Sequence, residues 1–157
     1  MFGGQRGFSV MELIVVMGIS GILLASATMQ YSDVVASFNR QNGLNALEFD
    51  LRRARSEAIA SGTRGVLKLD TGGGGYSFGL DLTPYNDPVN FDSQSFRRTL
   101  PSNVSVTGST IVIDSRGFVI DSTTSSPTSA SFTVQYNGVN FCTIGLTPIG
   151  TISISCT

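Results

Sequence analysis

The sequence predicts an α+β protein in which one long N-terminal α-helix packs on a C-terminal antiparallel β-rich domain. Three observations support this fold class. Residues 13–32 carry no charge, and their 20 positions are about the length that an α-helix needs to cross a bilayer core. Apolar residues then recur at helical spacing as far as residue 58. From residue 63 onward this period disappears, and Ser, Thr, Gly and Val become frequent, as is typical of short strands and turns.

The composition limits the classes of function. The 157 residues fit one domain with an appended element. Ten basic and 11 acidic residues give a formal charge of −1, too small a field to attract nucleic acid. The chain has no histidine and only two cysteines, so zinc sites and His-dependent acid–base chemistry lack ligands and bases. We therefore expect no catalytic residues, no metal, no cofactor and no small-molecule substrate.

The first predicted element is the apolar half of the helix. Arg6 precedes it, so the positive-inside rule places residues before it in the cytoplasm and the remainder of the chain across the membrane. Glu12 interrupts the apolar pattern at its edge. A carboxylate at this position costs free energy unless it is paired, which makes a functional role for Glu12 a reasonable hypothesis.

Three interpretations of this segment compete. An ordinary signal peptide would be cleaved after Ala25-Ser26-Ala27, although an acidic residue in its apolar region is unusual. A plain signal anchor would merely tolerate Glu12. The third interpretation uses the whole motif Gly7-Phe8-Ser9-Val10-Met11-Glu12-Leu13, which resembles the prepilin cleavage motif of type IV pilins and type II secretion pseudopilins. We adopt the third, because it accounts for the short basic leader, the Glu and the apolar helix together.

The prepilin resemblance implies specific processing. A prepilin peptidase would cut between Gly7 and Phe8 and methylate the new N-terminal Phe8, which makes Glu12 the fifth mature residue. The new α-amino group is cationic below a pKa of about 8. A carboxylate from an adjacent subunit can pair with it and relieve two buried charges at once. We therefore expect Glu12 to pair with the Phe8 amine of a neighbour during filament assembly.

The second half of the helix has an amphipathic pattern. Its apolar positions are spaced by 3, 4, 3 and 4 residues and so lie on one face: Leu44, Leu47, Leu51, Ala54 and Ala58. The helix should end near Ser61-Gly62, since Gly is common just beyond a helix end. The basic positions Arg52, Arg53 and Arg55 are interpreted as a solvated face rather than a nucleic-acid patch. We expect them to form ion pairs with Glu48, Asp50 and Glu57.

A second resemblance lies within this helix. Residues 51–59 are similar to the "ARSEAI" stretch of the GspH/FimT family, which covers pseudopilin H of type II secretion and minor pilins of type IV pili. The two resemblances together cover about the first 60 residues and imply a pilin-like fold. They imply a leader at 1–7, a transmembrane and filament-core helix at 8–31, an amphipathic helix at 32–61 and a β-rich domain at 62–157. The implied partners are other pilin or pseudopilin subunits, the prepilin peptidase and the bacterial inner membrane, with the C-terminal domain in the periplasm.

The β-rich domain reads as a series of short strands. Strands are predicted at 65–70, 76–82, 104–106, 111–113, 118–120, 132–136, 139–144 and 151–155. The four glycines at 72–75 are predicted to form a hairpin tip, and Asn137-Gly138 is a strong signal for a two-residue turn. Residues 83–95 contain two prolines and are predicted to be a surface loop. The acids Asp81, Asp87 and Asp92 do not have EF-hand spacing, so we expect solvated loop acids and no metal.

The two cysteines predict a disulfide. Cys142 and Cys156 are equidistant from Ile149, so folding an antiparallel pair about that turn would place them opposite each other. Opposite Cα atoms in such a pair are about 4.5 to 5.5 Å apart, which is compatible with a disulfide. An even pair of this kind also indicates an oxidising compartment.

The functional expectation is a structural subunit and not an enzyme. The family resemblance implies a minor type IV pilin that helps to prime or cap a pilus filament. One alternative is pseudopilin H of a type II secretion system. A second alternative is a DNA-binding minor pilin for natural transformation, which contacts DNA through a basic C-terminal segment. The corresponding residues 150–157 contain no basic residue, and removing Arg6 leaves 10 − 1 = 9 basic against 11 acidic residues, so nucleic acid is an improbable partner by charge.

Overall fold

The computed structural model describes residues 9–83 and 89–156, without the side chains of residues 27–30. Its contacts divide the chain into two compact units, Met1–Phe38 and Asn39–Thr157. The predicted processing site at Gly7 and Phe8 and the loop acid Asp87 lie outside the described residues.

The N-terminal unit contains the first part of helix α1, which runs from Val10 to Ser61. Ser9 precedes the helix as an N-cap, with its Oγ accepting from the backbone N–H of Met11 at 3.3 Å. The most apolar window of α1 has a mean hydropathy of 2.2 and is not buried within the structure. The large apolar side chains from Val10 to Leu24 are 54–77% exposed. By length and composition, this helix is able to span a membrane.

The C-terminal unit contains the second part of α1 and every strand found in the part of the chain that the structure describes. The predicted apolar face of the helix packs on the core: Leu47, Leu51, Ala54 and Ala58 are each at most 1% exposed, and Leu44 is partly buried. The helix ends at Ser61, and Gly62 follows with φ +67°. This left-handed conformation is a common helix terminator that glycine adopts without a Cβ penalty.

Within the described residues, nine strands form two antiparallel sheets. Their bounds are β1 Arg64–Leu69, β2 Gly75–Asp81, β3 Ser93–Thr99, β4 Val104–Gly108, β5 Ile111–Ile113, β6 Val119–Ile120, β7 Ala130–Tyr136, β8 Val139–Leu146 and β9 Ile152–Cys156. The five-stranded sheet has the order β3-β2-β1-β5-β6, and the four-stranded sheet has the order β4-β7-β8-β9. The expected α+β fold, with a long helix packed on antiparallel sheets, is confirmed.

One hydrophobic core lies between the second part of α1 and the two sheets. Its largest fully buried side chains are Tyr76 and Phe78 from β2 and Phe132 from β7. The helix contributes the small Ala54 and Ala58, which allow the sheet backbone to approach it closely. A Cβ built on Gly65 would lie 3.3 Å from the Ala58 Cβ and 2.5 Å from the Phe78 ring.

The predicted loop at 83–95 extends too far, because its last three residues belong to strand β3. The strand begins at Ser93 and pairs with β2 through Thr99, with a register shift beside Phe78. All its side chains are exposed or partly exposed, and Phe96 is only partly buried. The sequence lacks the alternation of a half-buried strand because β3 lies at a sheet edge, where backbone pairing and not burial defines the strand.

Candidate functional site

Glu12 occupies the first turn of α1, on the N-terminal unit. Its backbone N–H donates to the Ser9 carbonyl at 3.0 Å, and the residue is exposed. A carboxylate in the first turn is favourable because the helix dipole is positive there. Within residues 9–83 and 89–156 no cation forms an ion pair with Glu12, so this part of the chain leaves its carboxylate available to a neighbouring molecule.

The prediction that Asp50 is a solvated acid on the helix surface is wrong. Asp50 is 0% exposed and does not pair with the helix arginines. Its Oδ2 accepts from the Tyr76 hydroxyl at 2.8 Å and from Arg98 Nε at 2.8 Å, and its Oδ1 accepts from Arg98 at 3.0 Å. The sequence could not identify these partners because they lie on β2 and β3, 26 and 48 residues away.

The electrostatics of this cluster follow from burial and pairing. Burial raises the pKa of Tyr76, and the adjacent Asp50 carboxylate raises it further. The hydrogen bonds from Arg98 to Asp50 raise the pKa of the Arg98 guanidinium. Tyr76 is therefore a neutral donor and Arg98 a cation, which together satisfy the buried carboxylate.

Asp81 also differs from its prediction as a solvated loop acid. It is 0% exposed, and its Oδ2 lies 2.9 Å from the guanidinium of Arg64. The two residues are opposite each other in the β1–β2 register. The other loop acid within the described residues, Asp92, accepts from the Leu82 N–H at 2.9 Å. The described residues contain no cluster of three or more possible metal ligands.

Two of the helix arginines pair as predicted. Arg52 bonds Glu48, and Arg53 lies 3.9 Å from Glu57. Both pairs are spaced i, i+4 on the exposed helix surface, where such pairs add little stability. The guanidinium of Arg53 also lies 4.6 Å from the centre of the Phe96 ring.

Arg55 has a different role, which sequence reasoning missed. Its Nε donates to the Gly117 carbonyl at 3.1 Å, and its NH1 donates to the Gly150 carbonyl at 3.4 Å. Both glycines have positive φ, and a Cβ at Gly150 would lie 2.8 Å from the Arg55 Nε. The side chain thus ties α1 to two turns, and the only sequence signal for this was a glycine in each turn.

The cysteines meet as the predicted register requires. Cys142 on β8 lies opposite Cys156 on β9, with Cα atoms 4.1 Å apart, and the two sulfurs are bonded. The disulfide connects the edge strand β9 to β8 at the C-terminal end of β9. It therefore holds β9 in place at the end that is most prone to fray.

Comparison with known families supports a pilin-type protein. The model of the prokaryotic N-terminal methylation motif matches residues 3–28. This motif and the fold together define the class of inner-membrane-anchored pilins. Members of this class assemble with other pilin subunits. The chain belongs to the family described as Type II transport protein GspH, whose model matches residues 44–147, or 104 of 157 positions. Its role is the structural one that minor pilins and pseudopilins share.

Solved structures of both kinds of filament subunit have this fold. The type IV minor pilin FimU of Pseudomonas aeruginosa matches with a TM-score of 0.58 and 16% identity, over 73% of this chain and 87% of that chain. The minor pseudopilin EpsH from the Type 2 Secretion System of Vibrio cholerae matches with a TM-score of 0.55 and 14% identity, over 75% of this chain and 97% of that chain. A search of curated protein sequences found no match.

Proposed function

We propose that the chain is a minor type IV pilin, a structural subunit without a catalytic role that helps to prime or cap a pilus filament. The observation that carries this proposal is the first part of α1, whose large apolar side chains are 54–77% exposed from Val10 to Leu24. Such a surface needs a nonpolar environment. The membrane supplies it before assembly, and the helices of neighbouring subunits supply it afterwards.

The proposed processing and topology follow from the N-terminal motif. Prepilin peptidase removes residues 1–7 by cutting between Gly7 and Phe8, and Phe8 is then N-methylated. Residues 8–31 span the inner membrane, while residues 32–61 and the β-rich domain 62–157 lie in the periplasm. The match of the methylation motif to residues 3–28 and the position of Arg6 before the apolar helix support this arrangement.

Glu12 is the proposed assembly residue. A carboxylate that moves from the membrane surface into a helical bundle pays a desolvation cost that only a paired cation offsets. The N-terminal amine of Phe8 on a neighbouring subunit is such a cation at neutral pH. Pairing then selects the axial position at which one subunit joins the next.

Replacement of Glu12 tests this role. Glu12→Ala should lower recovery of the protein in sheared filaments by about tenfold, because the neighbour's amine is left unpaired. Asp33→Ala is the matched control, since Asp33 is an exposed acid on the same helix. The measurement is an immunoblot of filament and membrane fractions. Equal recovery of both variants would contradict the assignment of Glu12.

The second candidate function is pseudopilin H of a type II secretion system. The description of the matched family and the fold of Vibrio cholerae EpsH favour it. The assembly mechanism would be unchanged, but the filament would serve protein export. The disulfide between Cys142 and Cys156 favours the minor pilin over the pseudopilin.

The experiment that tests the proposal is in-cell crosslinking of the tagged full chain, followed by mass spectrometry of its partners and its own N-terminus. Recovery of pilins with methyl-Phe8 as the mature end supports the minor pilin. Recovery of secretion pseudopilins with the same mature end supports the second candidate function, pseudopilin H. A mature end after Ala27 with no filament partner would contradict both.

A further inference from the structure

A groove opens beside the edge strand β9 in the C-terminal unit. Its volume is about 270 Å³, and its walls come from α1 and from both sheets. The apolar lining residues are Leu51, Ile59, Ile113, Val119, Leu146 and Ile152. Of these lining residues, Ile59 is 47% exposed. The apolar surface continues outside the groove at Ile154, which lies two residues along β9 from Ile152 and is 40% exposed.

Three of the four sheet edges are protected against pairing with another strand. β3 carries the charged residues Arg97 and Arg98. β4 is covered by the glycine turn, because the Val106 N–H donates to the Gly73 carbonyl at 2.9 Å. β6 has only two residues and forms a bridge between Ile120 and Pro127. Charge, coverage and shortness are common ways to prevent edge-to-edge association.

Strand β9 has none of these protections within the described residues. It contains no charge and no proline, and its register with β8 is continuous over all five residues. Four of its five residues are exposed. The disulfide at Cys156 orders the strand before any partner arrives. Its outer backbone groups are therefore a preformed template for one further strand.

The charges around the groove indicate what it would bind. Arg52 and Arg55 line it, and no acidic residue does. Glu48 offsets the charge of Arg52, whereas Arg55 donates to two backbone carbonyls and has no carboxylate partner among the described residues. A carboxylate that enters the groove would gain charge-assisted hydrogen bonds from these guanidinium groups.

We propose that β9 and the groove bind an extended, acidic segment of a different filament subunit. The segment adds a strand to β9, places an apolar side chain against Leu51 and Ile152, and sets a carboxylate near Arg55. This inference rests on the proposed function, because it requires a filament partner. A second copy of this chain fits poorly, since β3 carries two arginines, and β4 and β9 carry no charge.

Site-specific photocrosslinking in cells tests this contact with the full chain. A photoreactive phenylalanine replaces Ile154 on β9, just outside the groove, or, in a second strain, Ile19 on the apolar helix. The expected result is a crosslink from both positions to filament subunits, with the Ile154 product joined to one extended partner segment that contains an acidic residue. Crosslinks from Ile19 alone would overturn this inference and leave the proposed function intact. No filament subunit at either position would overturn both.

Charge reversal on the groove rim tests the predicted chemistry. Arg52→Glu should reduce the Ile154 crosslink about tenfold, because it repels the partner's carboxylate. Arg53→Glu is the matched control on the adjacent helix position, which is outside the groove, and should change the yield less than twofold. Thermal unfolding of both variants verifies that each is folded. Equal crosslinking of the two variants, or a product formed with a second copy of this chain, would overturn the proposed partner chemistry.

The strand-addition step has its own test. A peptide with the sequence of the crosslinked segment is N-methylated on one alternate set of amides or on the other. Methylation of the set that faces β9 should abolish binding to the detergent-solubilised full chain, measured by fluorescence polarisation. Methylation of the opposite set should leave the affinity unchanged within about threefold, since those amides point to solvent. Equal loss for both sets, or no loss for either, would overturn strand addition.

Discussion

Individual polar residues fix how the second part of α1 lies on the sheets. Asp50 is buried and joined to Tyr76 and Arg98, whereas Arg55 donates to carbonyls of two turns. Apolar packing is non-directional and tolerates small shifts of a helix along a sheet. Hydrogen bonds with defined partners do not tolerate such shifts, so these residues select one register from several that bury similar area.

Asp50→Asn should lower the free energy of unfolding by about 3 kcal/mol. The substitution keeps the size of the side chain but removes its charge, which leaves the Arg98 guanidinium without its carboxylate. The partly exposed control Glu48→Gln breaks the surface pair with Arg52 and should cost less than about 0.5 kcal/mol. Urea denaturation followed by circular dichroism measures both. Similar losses for the two variants would contradict a special role for Asp50.

The raised pKa of Tyr76 predicts that the folded domain loses stability in alkaline solution. The pKa of Tyr76 in the folded state is raised above the ordinary value of 10.0, so above that pH the unfolded chain binds fewer protons than the folded chain. Stability is therefore fully present below pH 10 and falls as the pH rises further. In an ultraviolet titration, one of the four tyrosines should ionise only as the domain unfolds.

The control for the alkaline titration is Tyr76→Phe. This variant should lack the late ionisation and should show a shallower loss of stability above pH 10, since it removes the hydroxyl whose pKa is raised by burial and by Asp50. Ionisation of all four tyrosines in the folded wild-type domain would contradict the role of burial and of Asp50.

At the scale of elements, the β8–β9 hairpin depends on a covalent link. β9 is an edge strand whose residues are mostly exposed, so it gains little from burial. The disulfide between Cys142 and Cys156 joins residues separated by 14 positions and reduces the conformational freedom of the unfolded chain. The covalent link thus supplies stability that the exposed strand does not obtain from the core.

Removing the disulfide should therefore destabilise the domain by about 3 kcal/mol. The double variant Cys142→Ser/Cys156→Ser and the wild-type protein in reducing agent should show the same loss in chemical denaturation. Hydrogen exchange should rise first in β9, since β8 keeps its pairing with β7. A loss below about 1 kcal/mol, or uniform exchange across both sheets, would contradict this account.

At the scale of the whole molecule, the charges are largely neutralised in pairs. The paired residues are Arg52–Glu48, Arg53–Glu57, Arg64–Asp81, Arg97–Asp70, Arg98–Asp50 and Arg116–Asp114. These pairs involve six of the nine basic residues that follow residue 7. A surface of this kind has no extended positive field to attract a polyanion.

The protein should consequently not retard duplex DNA in a gel shift, even at about 50 mM salt, where phosphate contacts are strong. A variant with Ser153→Lys and Ser155→Lys on β9 is the positive control, because it places two unpaired cations on an exposed strand. Clear retardation by the wild-type protein would restore the interpretation as a DNA-binding pilin.

Features that depend on local pattern could be predicted from the order of the residues. Helix α1, its end at Ser61 and its buried face follow from apolar spacing and a terminal glycine, which act over a few residues. The pairing of Cys142 with Cys156 follows from register about a single turn. Most strands were also predicted, because alternation and turn residues are local signals.

Features that need distant partners could not be predicted in this way and are known only from the packed fold. The burial of Asp50 and Asp81, the bonds from Arg55 to two turns and the edge strand β3 all depend on which elements lie side by side. A charged residue has the same local pattern whether it meets water or a buried partner, since the partner is tens of residues away in the sequence. The groove beside β9 is likewise visible only once helix and sheets are packed, because no single segment contains it.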